Sequence, residues 1–143
     1  MTFDYAGRVV RLQDLMAEAG TDVTLLSVGA DLPYFTGYDA TPSERLTILV
    51  VPRAGEPVLF IPDLEAPRVE PGEFSLRAWG ETEDPVALAA ASANPSRVAV
   101  GDHMWSVFLA RFLKEWSGAE WLPASELTRE LRMRKEEAEI DLL

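Results

Sequence analysis

The chain predicts an α/β domain with three layers, α/β/α, on a mixed sheet of about five or six strands. Three observations predict it. Helix-period segments alternate with short apolar, β-branched runs. Two of those runs, residues 46–51 and 57–61, are joined by the short Gly-containing loop Pro52-Arg-Ala-Gly-Glu56, which reads as an antiparallel hairpin inside the sheet. Nothing between Tyr5 and Leu131 reads as a linker, so these elements share one body.

Residues 5–19 place Val9, Leu12, Leu15, Met16 and Ala19 on one helical face. Asp4 suits its N-cap, and Gly20 suits the left-handed residue after its end. Residues 23–27 read as a short strand buried on both faces. Asp31-Leu-Pro33 reads as a turn, because Pro33 has no N–H for a central ladder. The hairpin follows, and Pro62 ends its second strand. A helical turn is expected over 63–68, a loop over 70–73, and a less buried strand over 74–79. Asp84-Pro85 is a helix start, an N-cap followed by proline at the first helical position. That helix runs to about residue 93 and stops at Asn94-Pro95. Residues 97–100 read as a strand, and Gly101-Asp102 turns the chain into a helix over about 104–116. Trp105, Phe108, Leu109, Phe112 and Trp116 form its apolar face, which puts Trp105 and Trp116 in the core. Trp79, after a marginal strand, is a candidate for exposure at an interface. Residues 120–122 read as a last strand, and Ser125 as the cap of a helix through Leu131.

Composition excludes several functions. The chain has 13 Lys and Arg against 24 Asp and Glu, a net charge of -11, which repels nucleic-acid phosphates and anionic lipid. No nucleic-acid or membrane partner is expected. It has no cysteine, so disulfides and thiolate metal sites are out, and a reducing cytoplasm is the expected compartment. No apolar run approaches the roughly 18 residues of a membrane span, and the N-terminus lacks the apolar stretch of a signal peptide.

Intrinsic chemistry is nearly missing. The single histidine, His103, beside Asp102, reads as a residue in the first turn of a helix, near solvent. There is no H-E-x-x-H, no G-x-S-x-G, no G-x-G-x-x-G after a strand and no Walker pattern. The acidic clusters Asp63/Glu65, Glu81/Glu83/Asp84 and Glu136/Glu137/Glu139 read as solvated faces in so acidic a chain. No catalytic residue and no metal ligand is expected here.

One ordered set of motifs remains. Pro33-Tyr-Phe-Thr-Gly-Tyr38 follows the helix and first strand. Glu44-Arg45 precedes the strong strand at 46–51, Gly55 turns the hairpin, and Phe60-Ile-Pro62 ends it, with Leu64-Glu65 after it. Val98-Ala-Val-Gly-Asp102 precedes a helix. The chain closes on Leu131-Arg-Met-Arg-Lys-Glu-Glu-Ala-Glu-Ile140. This set, over nearly the whole chain, resembles the N-terminal domain of the creatinase/prolidase (Xaa-Pro dipeptidase and aminopeptidase) family.

The resemblance implies a non-catalytic domain with a ribonuclease H-like motif over residues 1–131. Residues 132–143 would begin a linker and first helix leading into a catalytic pita-bread metallopeptidase domain. Ile140 and Leu143 on the helix opening at Glu136 would need that absent domain as cover, so the end looks like a boundary inside a longer enzyme. The absent domain would hold two divalent ions, manganese, cobalt or zinc, and act on proline-containing peptides. The domain in hand would serve oligomerisation, as a homodimer, and substrate access. Arg45 occupies the place of an arginine that reaches a neighbouring subunit's substrate, and Tyr38 and Asp39 would line the same rim. A guanidinium fork suits a carboxylate. An ion pair of Arg45 with Glu44, Asp39 or an acidic helix is the competing reading. Ser43 stands where creatinase-like members carry an aromatic, which argues against creatine. Two other functions stay open: a stand-alone α/β ligand-binding or interaction domain, and the accessory domain of a creatinase-like non-peptidase hydrolase.

Overall fold

A computed structural model describes residues 3–133 and residue 140. Its elements run α1 (Tyr5–Ala19), β1 (Val23–Ser27), α2 (Asp31–Thr36), β2 (Ile48–Pro52), β3 (Val58–Pro62), a 3-10 turn (Ala66–Arg68), β4 (Ser75–Trp79), α3 (Pro85–Ala91), β5 (Arg97–Val100), α4 (Ser106–Glu115), β6 (Glu120–Pro123) and α5 (Ser125–Met133). One six-stranded sheet has the order β4-β3-β2-β1-β5-β6. β2 is antiparallel to both neighbours, and every other pairing is parallel.

The period of two along the strands builds two cores. Leu25, Ile48, Val50, Phe60 and Val98 face α3 and α4, where Val86, Phe108, Phe112 and Trp116 meet them. Leu26, Leu49, Val51, Leu59 and Ala99 face the other way, against Leu12 and Met16 of α1, Phe35 of α2 and Leu127 of α5. The expected three layers are present.

Local signals act as expected at several ends. Asp4 Oδ1 accepts from the Gly7 N–H at 2.9 Å, and Gly20 closes α1 in the left-handed conformation. Asp84 Oδ1 accepts from the N–H groups of Val86 and Ala87. Strand β4, on the sheet edge, is exposed over most of its length.

Four expectations need correction. Residues 31–36 are a short helix rather than a turn at 31–33. Pro33 lies in its first turn, where no backbone N–H is required, and Gly37 (φ 77) terminates it. Trp105 stands before α4, not inside it, and is 45% exposed. The helix expected over about 104–116 runs over Ser106–Glu115, so Trp105 precedes its first turn. Trp79, the candidate for exposure, is buried, and its Nε1–H donates to the Leu46 carbonyl at 2.9 Å. The indole needs one polar partner when buried, and the chain entering β2 supplies it. Ser125 is the first residue of α5 rather than its cap, since the Ala124 carbonyl already accepts from Leu127 and Thr128. The helix expected from Glu136, and the 132–143 segment apart from Arg132, Met133 and Ile140, lie outside the described residues.

Candidate functional site

Because only β2 runs backwards, the carboxyl ends of five strands and the entrance to β2 share one end of the sheet. The loops there carry Asp31, Tyr38, Arg45, Glu65, Glu81, Asp102 and His103. Open α/β sheets place ligands at this end.

Arg45 is the last charged residue before β2, and its backbone is fixed. Its N–H donates to Ser43 Oγ at 3.1 Å, and the next carbonyl, that of Leu46, is held by the buried Trp79. Its guanidinium projects from this anchored base, with the side chain 39% exposed. Nη2 meets Glu81 Oε1 at 2.6 Å. An ion pair was one of the two readings of Arg45, but its partner comes from the loop after β4, not from Glu44 or Asp39. A pair this exposed is worth little in stability.

Arg45 lines two clefts. One, of about 20 Å³, has room for a single water-sized group. It is walled by Val28, Leu46, Trp105 and Phe108, with Ser27 and Thr47. Ser27 Oγ is buried and has no hydrogen-bond partner there. The other, of about 60 Å³, is more polar and includes Tyr38, Thr41, Thr47 and Glu65. Tyr38 Oη donates to Glu65 Oε2 at 3.0 Å. Burial, and then the bond to Glu65, pushes the Tyr38 hydroxyl above its ordinary range, so it remains a donor. Tyr38 and Arg45 thus share one cleft. Asp39 is exposed on the adjoining loop and lines neither cleft.

Sequence reasoning did not single out Glu81, Trp105 or Ser27 for this rim. Helical spacing points Trp105 to the core, and the acidic composition points Glu81 to a solvated face. A tryptophan just after Gly101-Asp102, at a loop-to-helix joint, was the available signal.

Among the described residues no three His, Cys, Asp or Glu side chains gather where they could hold a metal ion. No helix among them is long and apolar enough to cross a membrane. The arrangement offers a cation, a phenol and two small clefts, one apolar-walled and one more polar, which suit recognition.

Comparison with known proteins agrees with this architecture. A protein from Mycobacterium tuberculosis called "Probable dipeptidase PepE" is 36% identical over 146 residues, covering 97% of this chain and 39% of the relative. The crystal structure of dipeptidase PepE from Mycobacterium ulcerans matches with a TM-score of 0.84 and 31% identity, over 99% of this chain and 40% of that one. A recombinant prolidase from Thermococcus sibiricus has a TM-score of 0.89 at 22% identity, again over 99% and 40%, and that likeness concerns the fold alone. The chain therefore spans about 40% of the length of these relatives. Residues 8–134 match the family described as the Creatinase/Prolidase N-terminal domain. With that match over most of its length, and with the helix, hairpin and Gly-Asp motifs in the expected order, the chain belongs to the creatinase/prolidase N-terminal domain family.

Proposed function

We propose that this chain is the non-catalytic N-terminal domain of a proline-specific metallopeptidase, an Xaa-Pro dipeptidase or aminopeptidase. In this reading it serves homodimer formation and access of proline-containing peptides to a catalytic domain. The coverage supports it, since dipeptidases similar to this chain continue for more than half their length beyond the match. The described residues supply no ligand set for the two divalent ions such an enzyme would use, manganese, cobalt or zinc. The reading puts those ions, and the cytoplasmic peptidase chemistry they support, in the other domain.

The access role rests on one observation above all. Arg45 is held rigidly by its backbone, while its guanidinium is half exposed, with a single acidic partner, between two clefts. A guanidinium has five donors, and one exposed ion pair leaves several for a peptide carboxylate. Tyr38 and Asp39 belong to the same rim in this reading, Tyr38 as a donor beside the arginine.

The test compares this chain alone with the longer protein that joins it to a catalytic domain, both loaded with manganese. Only the longer protein is expected to hydrolyse Xaa-Pro dipeptides. Its mass in dilute solution is expected to be that of a dimer. Manganese-dependent turnover by the pure 143-residue chain would overturn the reading.

A further inference from the structure

Strand order reverses between β1 and β5. From β1 the chain steps outward through β2, β3 and β4, then returns to lay β5 and β6 on the other side. It leaves β1 toward α2 in one helical layer and leaves β5 toward α4 in the opposite layer. Loops that part in this way open a crevice beyond the carboxyl ends, the general ligand position of open α/β sheets. Here that crevice is a groove of about 680 Å³, within the range of small-molecule sites. Asp31 comes to it from the start of α2, Asp102 from the loop after β5, and Arg129 and Arg132 from α5. Gly29 lets the loops meet. Its φ is 151°, and a Cβ there would lie 3.1 Å from the His103 ring.

Two observations point to a bipolar ligand. The Asp31 side chain is only 16% exposed, yet its ion pair with Arg132 Nη1 spans 3.5 Å, the far limit of a hydrogen bond. Burial holds its carboxyl above the ordinary range in spite of Arg132, and Asp102 adds to that rise. A cationic group in the groove would supply the short bond that Asp31 lacks. Arg129 is exposed, lines the same groove, and forms no ion pair or hydrogen bond among the described residues. In a chain with net charge -11, a guanidinium that no carboxylate of the described residues engages is open to an anion. The rings of Tyr5 and Tyr34 also line the groove, with the Arg8 guanidinium carbon 5.4 and 4.0 Å from their centres.

We infer that this groove binds a small zwitterion, a free amino acid or dipeptide, with its ammonium on Asp31 and its carboxylate on Arg129. The inference is independent of the role proposed for Arg45 and needs no catalytic domain.

Calorimetric titration of the 143-residue chain tests it, with leucine and glycyl-leucine as probes. The controls are 4-methylpentanoate, which lacks the amine, and 3-methylbutylamine, which lacks the acid. Saturable binding of at least one zwitterion is expected, with both half-charged controls at least about tenfold weaker. Arg129→Gln, on an exposed helix position, is expected to weaken it about tenfold with an unchanged melting temperature, and so is Asp31→Asn. Asp102→Asn stands in if the Asp31 variant does not fold. The inference is overturned if neither zwitterion binds at about 20 mM. Equal binding of the controls, or indifference to Arg129→Gln, also overturns it.

Discussion

Asp22 and Asp31 lie just outside opposite ends of the sheet, and their surroundings differ. At the amino ends, Asp22 is saturated. One carboxylate oxygen accepts from Arg53 Nη2 at 2.8 Å, and the other from the N–H groups of Ser96 and Arg97 at 2.9 and 3.0 Å. Arg53 Nε donates on to the Thr21 carbonyl, Arg97 Nη1 to that of Ala19, and Gln13 to those of Pro52 and Gly55. The exceptions at that end are Thr21 Oγ1 and Arg97 Nε, which are buried without a partner. At the carboxyl ends, Asp31 has one long contact, Arg45 one exposed ion pair, and Trp105 a half-exposed indole stacked on Phe108. The first end ties β1, β2 and β5 together. The second leaves side chains available to something else.

The largest expected effect is at the closed end. Asp22→Ala strips an acceptor from two backbone N–H groups and a guanidinium at once, and is expected to cost about 2–4 kcal/mol in urea unfolding. A loss below about 1 kcal/mol would erase the contrast between the ends.

At the open end, Arg45→Ala is expected to change unfolding free energy by under about 0.5 kcal/mol, because its ion pair is solvent-screened. In the longer protein, the same change is expected to lower kcat/KM for Xaa-Pro substrates about tenfold or more. Unchanged kinetics would reduce Arg45 to a partner of Glu81.

Asp84 sharpens the comparison, since it is a structural carboxylate at the open end. It caps α3 and pairs with Arg111. Asp84→Ala is expected to cost about 1 kcal/mol. Its partial burial raises the pKa, but the Ala87 N–H and Arg111 outweigh that and hold the carboxyl below its ordinary value. A lowered pKa means that the contribution is whole above the unfolded value and fades as pH falls through the folded one. The stability gap between wild type and Asp84→Ala is therefore expected to be flat near neutrality and to shrink in acid.

At Asp31 the expected stability effect is also small and has the opposite sign. Its raised pKa means that ionisation is harder in the folded state, so this group's contribution declines as pH rises from the ordinary Asp value of 3.8 through the folded value. Asp31→Asn is expected to be neutral to slightly stabilising at pH 7 in thermal unfolding, by no more than about 0.5 kcal/mol. A clear destabilisation would mean that Asp31 works as Asp22 does, as a fastening.

Much of this was legible in residue order. The helix period of α1, the Gly-containing hairpin and Asp84-Pro85 each act through neighbours a few positions away, so local pattern located them. Trp79 and Trp105 were misjudged because their environments come from distant chain. Trp79 is buried in the core with its indole N–H on the distant Leu46 carbonyl, and Trp105 is exposed because it precedes α4. At the candidate site, Arg45 and Tyr38 were found through a motif, whereas Glu81 and Ser27 join them only through strand pairing.

The sequence by itself determined the three-layer class, the family and the poverty of catalytic groups, since periodicity, motif order and residue inventory are properties of one dimension. Tertiary structure alone decided the order β4-β3-β2-β1-β5-β6, and with it which loops meet. Asp31 and Arg132, at 3.5 Å across the chain, share a groove because β1 and β5 are neighbours and α5 packs beside α1 and α2. No local spacing encodes such a meeting. It follows from how two apolar faces of one sheet are covered by helices from distant parts of the chain.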